Sequence, residues 1–134
     1  MRIAVSARGD NLESQIDPRF GRCQFFVLLD NDTGEHEAIS NESAAASGGA
    51  GILASQMLSD HSVNIVITGD IGPNAYSTLK AAGIRVITGA SGTVKEAFVK
   101  YQAGTLIETK APTSGPHQGM GGQVRGGGRG RGGC

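Results

Sequence analysis

Two arginines and a cysteine stand close together immediately before a hydrophobic run. Arg19 and Arg22 flank Phe20 and Gly21, and Cys23 follows directly. A guanidinium group binds anions through several charged hydrogen-bond donors, and a neighbouring arginine favours ionisation of a thiol to a metal-binding thiolate. The segment therefore predicts an anion-binding site with Cys23 as a candidate metal ligand. A second interpretation of Cys23, a small buried side chain at the start of a strand, stays open.

Glycine-rich segments along the chain supply further candidate binding residues. Glycine lets the backbone approach a ligand closely, and the unpaired N–H groups at a helix N-terminus favour anions. Glycine and serine are also common in ordinary turns, so these segments indicate binding only where they converge. The candidates are Ser47, Gly48, Gly49, Gly51, Gly69, Asp70, Gly72, Asn74, Ser91 and Gly92.

Local patterns predict the elements that must position these residues. Apolar and β-branched runs predict five strands, and three further segments have helical patterns, in the order β-β-β-α-β-α-β-α. A hairpin turn at residues 30–34 makes the second strand antiparallel, whereas the later strand–helix–strand units imply parallel pairing. We therefore expect a three-layer mixed α/β fold. The predicted strands are residues 2–7, 23–29, 35–40, 63–68 and 84–88, and the predicted helices are 52–60, 73–82 and 94–101.

The last predicted helix has the clearest local pattern. Thr93 and, three residues on, Glu96 have the spacing of a capping box. Phe98 and Tyr101 recur with two smaller apolar residues on one helical face, which predicts an amphipathic helix with Phe98 in the core.

The predicted topology brings the glycine-rich loops to one edge of the sheet. Loops 8–22, 41–51, 69–73 and 89–92 all lie where the parallel strands end, the edge at which open α/β sheets bind ligands. Three helices begin there, and the two arginines and the cysteine lie at the same edge. This convergence favours a bulky anion as the ligand.

Charge and composition limit the other possibilities. The chain carries twelve basic and twelve acidic residues, and residues 111–134 hold three of the basic and none of the acidic ones, so residues 1–110 have a net charge of −3. A body of that charge is a poor nucleic-acid binder. Two distant cysteines exclude a disulfide scaffold, and the scattered histidines do not predict a zinc site. With no signal peptide or membrane span predicted, we expect a cytoplasmic protein.

The C-terminal residues differ from the rest in composition. Glycine and proline dominate from Ala111 onward, so we expect a folded domain over residues 1–110 and a disordered Gly/Arg-rich tail over 111–134. The tail resembles RGG segments, and RNA binding through it is the alternative function. Truncation after Lys110 is expected to leave thermal stability nearly unchanged.

Several segments together resemble the dinitrogenase iron–molybdenum cofactor-binding family. The resemblance extends in consistent order from residue 1 to about residue 107. It is carried by DPRFGRC at 17–23, by the loop 41–51 ending in GGAG, by VITGDIGPNA at 66–75, and by GI at 83–84 with SGTVKEA at 91–97.

This resemblance implies a ribonuclease H-like fold without nuclease activity. It also implies non-enzymatic binding, carriage or assembly of a molybdenum- or iron-containing sulfide cluster, with or without copper, and a partner protein that donates or accepts it. Some relatives have histidines in the loop after the third strand, where this chain has Ala46–Ala50, which leaves Cys23, backbone groups and arginines for binding. A hydrolase of ribonuclease H type is disfavoured because the first strand carries no carboxylate and Asp70 is the only acid well placed at the binding edge. We expect a monomer.

Overall fold

Five strands form one mixed sheet in the spatial order β3-β2-β1-β4-β5. The computed structural model describes residues 1–46 and 48–113. The strands are β1 (Arg2–Ala7), β2 (Phe25–Asp30), β3 (His36–Ser40), β4 (Ile65–Ile67) and β5 (Arg85–Ile87). The helices are α1 (Ala50–Asp60), α2 (Pro73–Ala81) and α3 (Val94–Gln102), with short 3-10 turns at Phe20–Arg22 and Glu42–Ala45.

Strand pairing divides the sheet into an antiparallel and a parallel half. β2 runs antiparallel to both β1 and β3, whereas β1, β4 and β5 are mutually parallel. The expected mixed α/β fold is therefore present, with five strands and three helices in the described chain. β4 and β5 have three residues each, shorter than the predicted strands at 63–68 and 84–88.

Alternation along the strands produces two cores, one on each face of the sheet. Ala4 of β1 faces a cluster that includes Leu58 of α1 and Leu79 of α2. Its neighbours Ile3 and Val5 face the opposite cluster, which includes residues of α3. Because successive side chains of a strand point to opposite faces, α1 and α2 cover one side and α3 covers the other.

The long loop after β1 is fixed to the ends of two strands. The Ser6 hydroxyl lies 2.6 Å from the Asp17 carbonyl oxygen and 2.7 Å from Thr68 Oγ1. The Asp70 N–H donates to the Pro18 carbonyl at 2.7 Å. Since these groups are largely buried, satisfying them holds residues 17–19 beside the turn that follows β4.

The predicted apolar face of α3 is only partly buried. Ala97 is buried, but Phe98 and Tyr101 are half-buried and pack at the margin of the second cluster. Within the described residues α3 is the one helix on this face, where Leu12, Ile16 and Leu106 pack beside it, and its outer apolar side chains stay partly in solvent. Phe98 thus contributes less to the core than the sequence pattern indicates.

The chain after α3 returns along β5 and α2. Thr109 donates its N–H to the Val86 carbonyl at 2.7 Å, and the Tyr76 hydroxyl donates to the Thr109 carbonyl at 3.3 Å. Thr113 still bonds to Ile71, so contacts with the body continue three residues past the expected domain boundary at residue 110. The predicted tail otherwise lies outside the described residues. No helix in the described part of the chain is long and apolar enough to cross a membrane.

Candidate functional site

An open pocket of about 510 Å³ lies at the edge where β1 and β4 end. Its volume is within the usual range for small-ligand sites. Its walls are residues 18–22 with their 3-10 turn, the first turn of α1, and the turn from β4 into α2. The lining residues are Pro18, Arg19, Phe20, Gly21, Arg22, Gly49, Ala50, Gly51, Ile52, Asp70, Gly72, Asn74 and Ala75.

Two helices begin at this pocket with their backbone donors uncapped. Gly49 is the N-cap of α1, with a left-handed φ of 72°, and Gly72 is the N-cap of α2, followed by Pro73. Among the described residues, neither first turn has a side-chain cap or an acidic residue. A helix N-terminus carries about half a positive charge, so two of them facing one cavity favour an anion.

Missing side chains at two glycines allow the pocket walls to touch through their backbones. A Cβ on Gly21 would lie 2.8 Å from the Gly51 nitrogen, and a Cβ on Gly51 would lie 2.9 Å from the Ala75 Cβ. Both distances are shorter than real contacts allow. Glycine at these positions therefore allows the 3-10 turn Phe20–Arg22, called the FGR turn below, to approach α1 closely, and α1 to approach α2.

Arg19 is held at the rim by a buried carboxylate. Its Nε and Nη2 donate to Asp17 Oδ1 and Oδ2 at 3.1 and 3.0 Å, and its backbone N–H also donates to Oδ1. The Asp17 side chain is 2% exposed and the Arg19 side chain 65%. Burial opposes ionisation of Asp17, but the hydrogen bonds and charge of Arg19 outweigh it and hold the pKa of Asp17 below its usual value. Arg19 is thus oriented by its partner, which also balances its charge.

Arg22 connects the pocket to the loop that precedes α1. Its Nη1 donates to the carbonyls of Ala44 and Ala46 at 2.8 and 2.7 Å. The Asn41 side chain secures the same region by donating to the carbonyls of Gly21 and Cys23. Arg22 is exposed, so its guanidinium lies at the rim with part of its donor capacity engaged by the protein.

Cys23 lies beneath the pocket and does not line it. Its side chain is fully buried, and its thiol donates to the Phe20 carbonyl at 3.3 Å. Burial, reinforced by the Asp17 charge, raises the pKa of the Cys23 thiol to about 12. In this arrangement the thiol is neutral and inaccessible, the opposite of what the adjacent Arg22 suggests from sequence. Metal ligation by Cys23 stays a prediction, and it would require the FGR turn to move.

Most of the predicted binding residues come together, and a few do not. Arg19, Phe20, Gly21, Arg22, Gly49, Gly51, Asp70, Gly72 and Asn74 line the one pocket. Gly48 is exposed beyond the lining, and Gly69 packs tightly against Pro18. Ser47 lies outside the described residues.

Ser91 and Gly92 do not line this pocket. They precede α3, whose N-terminal N–H groups are already hydrogen-bonded to other groups of the protein. Thr93 and Glu96 form the predicted capping box, with bonds of 2.8 and 3.1 Å. The next two N–H groups of the helix donate to carbonyls of the loop after β1, those of Leu12 and Ser14. The expectation that three helix N-termini serve one ligand is therefore corrected to two, since α3 lies on the other face of the sheet.

Sequence reasoning missed several members of the site. Asp17 was recognised only as part of a motif, although an aspartate two residues before an arginine can bond both its backbone and its guanidinium. Asn41 orders the turn through backbone carbonyls, which no spacing reveals. Ala50, Ile52 and Ala75 line the pocket as small or apolar helix positions without any chemical marker.

The site offers hydrogen-bond donors and no set of metal ligands. In the described ranges, no three His, Cys, Asp or Glu side chains are grouped so as to hold a metal ion. The donors at the pocket are backbone N–H groups, the two guanidiniums and the side-chain amide of Asn74, and these interact with the outer atoms of an anion. A metal-containing ligand would therefore be held through the acceptor atoms around its metal.

Comparisons with known proteins agree with the pattern seen in the sequence. The model of the family described as dinitrogenase iron-molybdenum cofactor matches residues 1–104. An uncharacterized protein of Methanocaldococcus jannaschii is 31% identical over 109 residues, which are 79% of this chain and 89% of that protein. The family resemblance inferred from the motifs is thereby confirmed.

Two solved structures share both fold and sequence with this chain. The apo form of the orange protein from Desulfovibrio gigas superimposes with a TM-score of 0.81 at 39% identity, covering 83% of this chain and 94% of that one. A Thermotoga protein assigned provisionally as NifB superimposes with a TM-score of 0.70 at 36% identity, covering 80% and 91%.

Proposed function

The chain belongs to the dinitrogenase iron–molybdenum cofactor family, and from that premise we propose that it binds and carries an anionic metal–sulfur cluster without catalysing a reaction. The cluster is a molybdenum- or iron-containing sulfide, with or without copper. The fold we assign is ribonuclease H-like, which the sheet order and the single antiparallel neighbour of β1 support.

The observation that carries this proposal is the convergence of two uncapped helix N-termini and two arginines on one pocket. Asp17 balances the charge of Arg19, and Asp70 adds a further carboxylate at the rim. These two carboxylates offset the charges of the two arginines, so the attraction of the pocket for an anion depends strongly on the helix N-termini and on the orientation of Arg22. Oriented N–H dipoles of this kind bind anions at many sites in proteins.

Each part of the pocket has a role in holding such a cluster. Sulfide and oxide atoms on the cluster surface would accept hydrogen bonds from the first turns of α1 and α2 and from the guanidiniums of Arg19 and Arg22. Phe20 is buried at the bottom of the pocket. The absence of side chains at Gly21 and Gly51 leaves the backbone of the pocket walls accessible to the cluster. Cys23 supports the turn from below through its bond to the Phe20 carbonyl.

The relatives support a carrier better than an enzyme. The orange protein was solved as an apo form, the term used for a binding protein without its ligand. Among the described residues that line the pocket, Asp70 is the one carboxylate, and the nearby Asp17 is buried and bonded to Arg19. Two-metal hydrolysis needs several free carboxylates at one point. We propose a monomer that exchanges its cluster with a donor or acceptor protein.

The test uses tetrathiomolybdate as a small molybdenum–sulfur anion. Its dissociation constant is measured by visible absorption for the wild-type protein and for Arg19→Ala, Arg22→Ala and the control Arg85→Ala, which alters an exposed arginine outside the pocket lining. A charged hydrogen bond contributes about 1.5–3 kcal/mol, so each pocket variant is expected to bind about ten- to a hundredfold more weakly. Lysine at position 22 should restore only part of the affinity, because it lacks the planar fork.

Two results would overturn the proposal. One is a wild-type protein that does not bind the anion, and the other is equal binding by all three variants. Because Arg19→Ala removes the partner of the buried Asp17, the thermal unfolding of every variant is measured as well. If Arg19→Ala proves to be unfolded, the affinity of Arg22→Ala alone tests the proposal.

Cys23→Ser separates two modes of binding within the proposal. If N–H groups and arginines hold the cluster, the absorption spectrum of the complex stays the same and affinity changes little. A changed spectrum or lost binding in a folded variant would show that the thiolate ligates the metal after all.

A further inference from the structure

We propose that Asp70 makes the pocket selective for anions that carry a hydrogen-bond donor, such as a hydroxyl group, over anions of equal charge that carry only acceptors. This inference rests on the proposed function, because it concerns the ligand of the same pocket. It narrows the class of cluster that the pocket accepts to those with a donor group on the surface that faces Asp70.

The first observation is the chemical type of the Asp70 side chain. Asp70 is exposed and is the one carboxylate among the described residues that line the pocket. The other polar groups of the lining are the guanidiniums of Arg19 and Arg22, the side-chain amide of Asn74 and backbone N–H groups. An ionised carboxylate only accepts hydrogen bonds, and it repels the acceptor atoms of an anion. A ligand with acceptors alone would therefore bind more tightly if this carboxylate were absent.

The second observation is that both arginines of the pocket are engaged by acceptors other than Asp70. The backbone of Arg19 forms a bridge with that of Asp70, yet its guanidinium donates to the two oxygens of Asp17 at 3.1 and 3.0 Å. Arg22 Nη1 donates to two backbone carbonyls of the loop before α1. The salt bridges within the described residues all join other groups. The Asp70 carboxylate is therefore available to accept a hydrogen bond from a ligand.

The third observation is that the turn carrying Asp70 is held on both sides. The Asp70 N–H donates to the Pro18 carbonyl at 2.7 Å, and a Cβ on Gly69 would lie 2.5 Å from the Pro18 Cβ. On the other side, the N–H and the carbonyl of Ile71 are both bonded to Thr113. Because these contacts already fix the backbone, little conformational entropy remains to be lost when the carboxylate meets a ligand.

Donors and the carboxylate are thus presented to the ligand from different walls of the pocket. The guanidiniums lie on and beside the FGR turn, whereas Asp70 lies on the turn that leads into α2. An anion that donates on one side and accepts elsewhere satisfies all of these groups at once. A site that bonds a ligand hydroxyl discriminates against analogues without it, because its own polar group then stays unpaired.

Hydrogen phosphate and sulfate are a matched pair of probes for this selectivity. At about pH 8 both are mostly doubly charged tetrahedral anions, but only hydrogen phosphate keeps a hydroxyl group. Their dissociation constants are measured by isothermal titration calorimetry for the wild type, Asp70→Ala and Asp70→Asn. The control is Asp60→Asn, which removes the same charge from an exposed residue at the end of α1, outside the pocket lining.

We expect the wild type to prefer hydrogen phosphate to sulfate by about tenfold, since water competes for an exposed carboxylate and limits the effect. Both Asp70 variants should bind the two anions about equally, mainly because their affinity for sulfate rises. The control should keep the wild-type preference. Tetrathiomolybdate has no hydrogen, so Asp70→Ala should bind it about three- to tenfold more tightly than the wild type does. Thermal unfolding of each variant verifies that it is folded.

Three results would overturn the inference. They are an equal preference in the wild type and the Asp70 variants, a wild type that does not bind hydrogen phosphate, and a gain by the same factor for both oxyanions in Asp70→Ala. The last result would show that Asp70 only repels charge. In all three cases the proposed function stands if tetrathiomolybdate binds with the expected dependence on Arg22. If the wild type does not bind tetrathiomolybdate, the proposed function fails, and a preference for hydrogen phosphate that depends on Asp70 would still support the selectivity.

Discussion

Replacing Asp17 by Asn tests the electrostatic basis of the binding edge. The carboxylate accepts three hydrogen bonds from Arg19, two from the side chain and one from the backbone, at 3.0–3.1 Å. An asparagine oxygen can keep some of these bonds, but its NH₂ group then faces a guanidinium donor. A bond to a charged group contributes about 1.5–3 kcal/mol when protected from water.

The exposure of the partner reduces that figure. The Arg19 side chain is 65% exposed, so solvent screens the pair and we expect Asp17→Asn to lower the free energy of unfolding by about 1–2 kcal/mol at pH 7. Urea unfolding followed by far-ultraviolet circular dichroism measures this difference. Asp70→Asn is the matched control, since it removes an exposed carboxylate at the same edge and should change the free energy by less than about 0.5 kcal/mol.

The pH dependence of the difference has a definite sign. The pKa of Asp17 is lower in the folded protein than in the unfolded chain, so its stabilisation is fully present above an unfolded pKa of about 3.9. It is lost as the pH falls through the folded pKa. The difference between wild type and Asp17→Asn should therefore be constant from pH 7 to about pH 5 and shrink below pH 4. A difference that is absent at pH 7, or that persists unchanged at pH 3, would refute the assignment of Arg19 and Asp17 as a stabilising pair.

Three further predictions concern the pocket wall at Gly21, the buried Cys23 beneath the pocket, and Phe98 of α3 on the opposite face of the sheet. Gly21→Ala should destabilise the protein by about 1–3 kcal/mol in urea unfolding, because the added Cβ would meet the backbone of α1. The control Gly48→Ala has open space around the added Cβ and should not change the free energy of unfolding. Equal effects of the two changes would contradict the close approach of residue 21 to α1. In a Cys134→Ser background, Cys23 of the folded protein should react with a disulfide reagent at pH 8 roughly a thousandfold more slowly than Cys23 of the urea-unfolded protein. The reason is that burial raises the pKa of the thiol from 9.0 to about 12, which leaves little reactive thiolate. Comparable rates in the two states would show an accessible thiolate. Phe98→Ala should cost about 1–3 kcal/mol in the same unfolding assay, less than the 3–5 kcal/mol of a fully buried aromatic, and a loss above that range would mean that α3 is covered more completely than its half-buried face indicates.

The sequence alone was sufficient where the determinants are local. The capping box of Thr93 and Glu96 forms with the predicted partners, because both bonds join residues three apart. The alternation of Ile3, Ala4 and Val5 between two cores follows from the geometry of any strand. The order of strands and helices was likewise predictable from periodicity and turn residues. Since loops at the ends of parallel strands share one edge, the neighbourhood of the pocket could be predicted as well.

Tertiary structure decided everything that depends on partners far apart in the chain. The N-terminus of α3 is satisfied by carbonyls of Leu12 and Ser14, so one of three predicted anion sites is already used by the protein. Cys23 follows an arginine in sequence, yet packing places its thiol in the core, and desolvation there outweighs the neighbouring charge. The return of Thr113 to Ile71 has no local pattern at all. Local spacing thus determined which groups are available at the binding edge, whereas burial and long-range hydrogen bonds determined which of them remain free to meet a ligand.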